Sequence, residues 1–129
     1  MYFDFYGVFD PAEISVRLGI EPTTQSRSGE PRPSSSGHRR RDAWSIRSGP
    51  VEAFEIDDLL KQMQTAITVS PEEIKRVSSE LNIKAVVTCE VQSVASMPSL
   101  NFSEKFVQWA ASMGAAIDVD IMLLEEDEN

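Results

Sequence analysis

Apolar and polar residues alternate in four segments of the chain, and this two-residue period is typical of β-strands with one buried face. The four predicted strands are Tyr2–Val8, Ala43–Arg47, Ile83–Gln92 and Ala116–Leu124. In the first strand, Phe3 and Phe5 should point inward. The second strand is short, so we expect it at an edge of the sheet with Trp44 and Ile46 inward.

Apolar residues recur at helical spacing in four other segments, which predicts amphipathic helices. Three of these helices begin after a polar residue that can accept hydrogen bonds from free backbone N–H groups. The three capping residues are Asp10, Ser70 and Ser103. Before the last helix, Phe102 should pack on Val107 as a hydrophobic staple. Gly19, Asn82 and Gly114 are placed to end helices.

The order of elements is strand–helix–strand, two helices, then strand–helix–strand. Two such units can form one four-stranded, mainly antiparallel sheet with the helices packed on one face. We therefore predict an α+β protein with a ferredoxin-like βαβ–(αα)–βαβ arrangement. It should form a single domain over residues 1–124, followed by an acidic tail at 125–129.

A long loop, residues 21–41, interrupts this pattern. It is rich in proline, glycine and serine and has almost no apolar side chains, so we expect it to lack regular structure and to be mobile. Five arginines and two glutamates give it a net charge of +3, which leaves −12 on the rest of a chain whose total is −9. A loop of this length is usually functional or disordered.

The charge of the whole chain restricts its partners. A net charge of −9 repels nucleic acid and anionic membranes at long range, so we expect neither as a partner. The single cysteine, Cys89, cannot form an internal disulfide, and the first residues lack the basic and apolar regions of a signal peptide. We therefore expect a cytoplasmic protein without a cofactor, and homo-oligomerisation stays open.

Several short motifs in fixed order resemble the bacterial domain-of-unknown-function family 4279. The matching stretches are Leu18–Thr23, Gly29–Glu30, Trp44–Ile46 and Met113–Ile121. The resemblance runs from about Phe5 to Met122. The chain departs from the family pattern after Pro22, where an aromatic residue is usual and Gln25-Ser26-Arg27 stand instead. The resemblance implies a small bacterial α+β domain and no reaction.

The last predicted strand carries the first candidate site. Asp118 and Asp120 are two residues apart, so both carboxylates should project from one face. Such a pair could hold a divalent cation if further oxygens converge, or could act as acid and base. The alternative is a polar face that forms ion pairs with the basic loop.

The basic loop carries the second candidate site. Its consecutive arginines could clamp a carboxylate or phosphate, or they could only neutralise the acidic domain. These arginines are Arg39, Arg40 and Arg41. Trp44 could stack on a ligand, although its alternation with Ile46 favours the core. His38 should be an exposed loop residue, and Cys89 should lie in the core.

Three hypotheses follow for the function. The first is a non-enzymatic protein-interaction module with an immunity or regulatory role and a basic protein partner, because an acidic surface steers basic partners. The second is a small-molecule or anion-binding domain that uses the arginine loop and the face of Asp118 and Asp120. The third is a metal-dependent hydrolase that uses the same two aspartates.

Overall fold

The computed structural model describes residues 1–32, 37–49, 56–93 and 101–123. The predicted acidic tail and part of the predicted loop, residues 33–36, lie outside these ranges. Five strands and four helices are present in the described residues. In chain order they are β1 (Tyr2–Gly7), α1 (Pro11–Leu18), β2 (Thr24–Ser26), β3 (Asp42–Arg47), α2 (Ile56–Ala66), α3 (Pro71–Leu81), β4 (Lys84–Ser93), α4 (Glu104–Ser112) and β5 (Ala116–Leu123).

The sheet has five strands in the order β2-β3-β1-β4-β5. All neighbours are antiparallel except β4 and β5, which run parallel. The predicted α+β class is confirmed and three of the four strand pairs are antiparallel as expected, but the predicted four-stranded ferredoxin-like sheet is wrong, because the sheet has five strands and one parallel pair. The parallel pair arises because the long connection that contains α4 carries the chain back before β5 begins.

The additional strand, β2, lies inside the segment that we expected to lack regular structure. It pairs with β3, so β3 is an inner strand and the prediction that it forms an edge is wrong. Two further hydrogen bonds hold this edge: the Thr23 N–H donates to the Ser45 carbonyl at 2.8 Å, and the Arg47 N–H donates to the Thr23 hydroxyl at 3.0 Å. A strand of three polar residues shows no apolar alternation, so only its pairing identifies it.

The helix caps follow the local sequence. The Asp10 carboxylate accepts the Ala12 N–H at 3.0 Å, and Ser70 and Ser103 cap α3 and α4 in the same way. The predicted staple differs, because Phe102 contacts the ring of Phe106, with ring centroids 5.3 Å apart, while Val107 is 47% exposed.

One face of the sheet forms the core with the helices. Phe3 and Phe5 are fully buried in β1, and Phe3 is in register with Ile46 on β3 and Val87 on β4. Cys89 lies in the same buried row, as predicted. The main buried side chains from the helices are Ile14, Leu18, Leu60, Met63, Ile74, Val77, Phe106 and Met113. No helix in the described part of the chain has the length and apolar character needed to cross a bilayer.

Candidate functional site

The opposite face of the sheet, which we call the open face, carries polar and aromatic side chains and a surface hollow of about 370 Å³. We call this depression the strand hollow. Serine and threonine hydroxyls form part of its lining. Its aromatic and charged lining residues are Tyr2, Asp4, Tyr6, Arg47, Glu90 and Asp120. A polar outer face is normal for an antiparallel sheet, but a concave one with two tyrosines and three carboxylates can also hold a ligand.

Tyr2 connects three strands at one end of the strand hollow. Its hydroxyl donates a hydrogen bond of 3.0 Å to the Glu90 carboxylate on β4. On the other side, the guanidinium of Arg47 lies 4.9 Å from the centre of the Tyr2 ring. Burial and this hydrogen bond to Glu90 raise the pKa of Tyr2, so the hydroxyl remains a donor at neutral pH. The Tyr2 side chain is therefore held between the Glu90 carboxylate and the Arg47 guanidinium.

Asp4 lies at the floor of the strand hollow and is only 6% exposed. It accepts hydrogen bonds from the hydroxyls of Ser45 and Tyr6. Burial raises the pKa of Asp4, although these hydrogen bonds and the charge of Arg41 act in the opposite direction. A titratable group that is perturbed by burial within a hollow is a recognised sign of a functional position.

Tyr6 separates the strand hollow from a second depression. The Arg41 guanidinium lies 4.0 Å from the centre of its ring. Burial and the neighbouring Asp4 carboxylate raise the pKa of Tyr6 to about 12. The phenol therefore stays protonated at physiological pH and donates a hydrogen bond to the Asp4 carboxylate. This Arg41–Tyr6–Asp4 chain links the basic loop to the centre of the sheet.

Asp118 and Asp120 project from the open face of β5, and both are exposed. Asp120 lines the strand hollow, while Asp118 is in register with Thr88 on β4. Within the described residues, no three His, Cys, Asp or Glu side chains lie close enough to hold a metal ion. In this part of the chain, therefore, no third such side chain joins Asp118 and Asp120 to form the metal site that the hydrolase hypothesis requires.

The predicted basic residues lie around the second depression, which we call the arginine hollow. Arg39, Arg40 and Arg41 line it together with Arg32, and Asp118 and Asp120 do not. The structure thus brings the arginines together but keeps them apart from the aspartates. His38 is exposed.

Trp44 lies on the helical side of the sheet rather than on the open face. It is 1% exposed, and its indole N–H donates to the Ser15 hydroxyl at 3.0 Å. Its ring also packs against Phe5, with centroids 5.8 Å apart. Trp44 is therefore not available for stacking on a surface ligand in this structure.

The sequence model of a family described as "Domain of unknown function (DUF4279)" matches residues 1–124. The chain belongs to this family. No curated protein and no solved structure matches the chain. The family assignment confirms the resemblance seen in the sequence and supplies no activity, so any function must be argued from the site itself.

The stretches that carry the family resemblance have structural roles in this fold. Gly19 ends α1 in the left-handed conformation, with φ of 65°, and Gly114 follows α4 with φ of 67°. The Thr23 hydroxyl fixes the edge strand, and Trp44 ties β3 to α1. These residues therefore help to shape the domain, and the last matching stretch, Met113–Ile121, also carries Asp118 and Asp120 of the open face.

Five aromatic or charged residues of the strand hollow were not among the site residues predicted from the sequence: Tyr2, Asp4, Tyr6, Arg47 and Glu90. Their signal was present, because the outward positions of β1 read Tyr-Asp-Tyr, which is more aromatic and more charged than a purely solvated face requires. The contribution of Arg47 depends on the register between β1 and β3, which the pattern alone does not define.

Proposed function

We propose that this protein is a non-enzymatic binding module whose open face docks a protein partner that is basic where it meets β4 and β5. The observation that supports this most is the composition of the open face. Two tyrosines, each with an arginine over its ring, lie beside an acidic strip formed by Glu90, Asp118 and Asp120.

The paired aromatic and guanidinium groups are suited to a protein interface. Tyrosine and arginine are enriched among the residues that contribute most to binding. Tyrosine offers a large contact area with only two flexible bonds to immobilise. Tyr2 and Tyr6 are already held by Glu90 and Asp4, so little side-chain entropy would be lost on binding. Both tyrosines lie on β1, the central strand of the sheet, and this makes the contact surface rigid.

The acidic strip defines the chemistry of the partner. Glu90 and Asp120 are directly opposite each other on β4 and β5, and Asp118 is exposed one row away. Like charges on neighbouring strands repel each other in the free protein, and a basic partner would relieve this repulsion. The same charges would accelerate association by electrostatic steering.

A bacterial immunity or regulatory protein that neutralises its partner by covering it would use a surface of this kind. We base this role on the analogy between the charged open face and the surfaces of proteins that neutralise a partner by covering it. A cytoplasmic location is part of the same proposal and rests on the lone buried Cys89.

The test compares two triple variants that both change the net charge from −9 to −6. The open-face variant carries Glu90→Gln, Asp118→Asn and Asp120→Asn. The control variant carries Glu13→Gln, Asp58→Asn and Glu72→Gln, which are exposed residues on the helices. Both should keep the circular dichroism spectrum of the wild type.

Each protein is used to capture partners from the native host at low salt, and the captured partner is then purified and titrated against all three. We expect the wild type and the control to bind with similar affinity, and the open-face variant to bind about tenfold more weakly, since the loss of three interfacial charge pairs should cost on the order of 1–2 kcal/mol. Binding should weaken as salt rises. Absence of a specific partner at low salt, or equal binding by the open-face variant, would overturn the proposal.

A further inference from the structure

The arginine hollow is a separate depression of about 420 Å³, which falls in the size range of small-ligand sites. Four arginines line it, together with Tyr6 and Ala43. The arginines are Arg32, Arg39, Arg40 and Arg41. No carboxylate of the described residues lines this hollow, although the chain contains 21 acidic residues.

The backbone holds the two arms of the loop together around the hollow. The Gly29 N–H donates to the Arg39 carbonyl, and the Arg39 N–H donates to the Glu30 carbonyl, both at 2.8 Å. Further along, the Arg32 N–H donates to the Gly37 carbonyl at 3.1 Å. Arg32 is thereby placed on the arm opposite the other three arginines, so the four side chains approach the hollow from both sides.

A buried carboxylate anchors these arms to the domain. Asp42 accepts the Ser28 N–H at 2.8 Å and the Phe9 N–H at 2.9 Å. The guanidinium of Arg41, the residue before Asp42, lies over the Tyr6 ring. A guanidinium stacked on an aromatic ring keeps its N–H groups free at its edge, where they can form paired hydrogen bonds to an oxyanion.

The four arginines of the hollow differ from three other arginines of the protein, which are paired with carboxylates. Arg17, Arg27 and Arg76 form ion pairs with carboxylates. Among the described residues, the four arginines of the hollow form no ion pair, although the Asp4 carboxylate, to which Tyr6 donates a hydrogen bond, interacts electrostatically with Arg41. In a strongly acidic chain, such a concentration of unpaired positive charge around a ligand-sized hollow suits a bound anion.

We propose that the arginine hollow is a binding site for a small polyanion that carries phosphate groups. Guanidinium groups match the geometry of phosphate oxygens with two parallel hydrogen bonds. Four of them carry more positive charge than a single carboxylate would require and can neutralise a multiply charged group. The acidic strip and the overall charge of −9 disfavour a long nucleic acid on the same face. The site shares Arg41 and Tyr6 with the open face of the protein-docking proposal, but it does not rest on that proposal and can be tested with the purified protein alone.

The probe is inorganic tripolyphosphate, titrated calorimetrically into the full chain at low salt. The site variant carries Arg39→Gln and Arg41→Gln. The control carries Lys61→Gln and Lys105→Gln, two exposed lysines on α2 and α4, and gives the same net charge of −11. A second site variant, Arg39→Lys with Arg41→Lys, keeps the charge and removes the paired N–H geometry.

We expect the wild type and the lysine control to bind tripolyphosphate within about threefold of each other, while the glutamine site variant loses at least about tenfold in affinity. The Arg→Lys variant should be intermediate, because a point charge replaces the planar group. Absence of binding by the wild type at low salt would overturn the proposal. An equal loss in the control would attribute binding to general charge and overturn it as well, and unchanged binding by the Arg→Lys variant would overturn the assignment to guanidinium geometry.

Discussion

Asp42 offers the sharpest test of how the loop is held. Its side chain is 7% exposed and accepts the N–H groups of Ser28 and Phe9, which lie on two different connections. In Asp42→Asn, one oxygen remains as an acceptor, while the amide NH₂ faces the other backbone donor. The substitution therefore removes one charge-assisted hydrogen bond and leaves one N–H without its acceptor.

The expected size of the effect follows from these contacts. A hydrogen bond to a charged group contributes about 1.5–3 kcal/mol. Because Ser28 is exposed and its N–H can turn to water, we place the loss for Asp42→Asn at about 2 kcal/mol. With a urea m-value of about 1.5 kcal/mol per molar, the midpoint should fall by about 1.3 M. Trp44 and Trp109 are both buried and supply the fluorescence signal.

The pH dependence provides a second readout. The backbone N–H groups of Ser28 and Phe9 lower the pKa of Asp42 below its ordinary value of 3.8. The stabilisation by Asp42 is therefore fully present above pH 3.8 and is lost as the pH falls below that value toward the pKa in the folded protein. The stability difference between wild type and Asp42→Asn should narrow over that interval.

The matched control is Asp118→Asn, because Asp118 is exposed on the open face and the same atoms are exchanged. Its free energy of unfolding should change by less than about 0.5 kcal/mol. If Asp42→Asn and Asp118→Asn unfold at the same urea concentration, or if the difference for Asp42 does not vary with pH, the anchoring role of Asp42 is refuted.

Two further predictions concern β1. Gly7→Ala should lose about 1–3 kcal/mol of stability by overpacking, because its Cβ would lie 2.8 Å from the Ile83 Cγ2 atom. Gly7 also has a positive φ, of 153°, so its loss should exceed that of Gly19→Ala, a positive-φ glycine in open space whose substitution should cost only about 1–2 kcal/mol. An equal or smaller loss at Gly7 in urea unfolding would contradict the steric argument. Burial raises the pKa of Asp4, so the wild type loses stability as the pH rises above 3.8 and this carboxyl ionises. The thermal stability of Asp4→Asn relative to the wild type should therefore rise as the pH increases from 3.8 through the higher pKa of Asp4 in the folded protein, and a difference that is independent of pH would contradict this.

The parts of the fold that were predicted correctly are those that local chemistry determines. Asp10 before proline, Ser70 before proline, and Ser103 each accept a backbone N–H from the first turn of a helix, whatever the rest of the chain does. The inward row of β1 likewise follows from alternation alone, since Phe3 and Phe5 would otherwise lie in water.

The parts that were missed depend on contacts between distant residues. β2 is three polar residues long and exists because β3 offers it a ladder of hydrogen bonds. The parallel direction of β5 depends on where the chain re-enters the sheet after α4, and alternation is the same in either direction. Arg32 joined the arginine hollow only through the pairing of its loop arm with the arm that contains Arg39.

The sheet also explains how one face can carry two surfaces of opposite charge. Adjacent strands are about 4.8 Å apart, so β4 lies about 10 Å and β5 about 14 Å from β3. The Debye length at physiological ionic strength is about 8 Å. The acidic strip on β4 and β5 is therefore largely screened from the arginine hollow beside β3, and each surface can attract its own ligand. Tyr6 lies between the two surfaces, with Arg41 over its ring and Asp4 at its hydroxyl. Its pKa of about 12 keeps the phenol protonated at physiological pH.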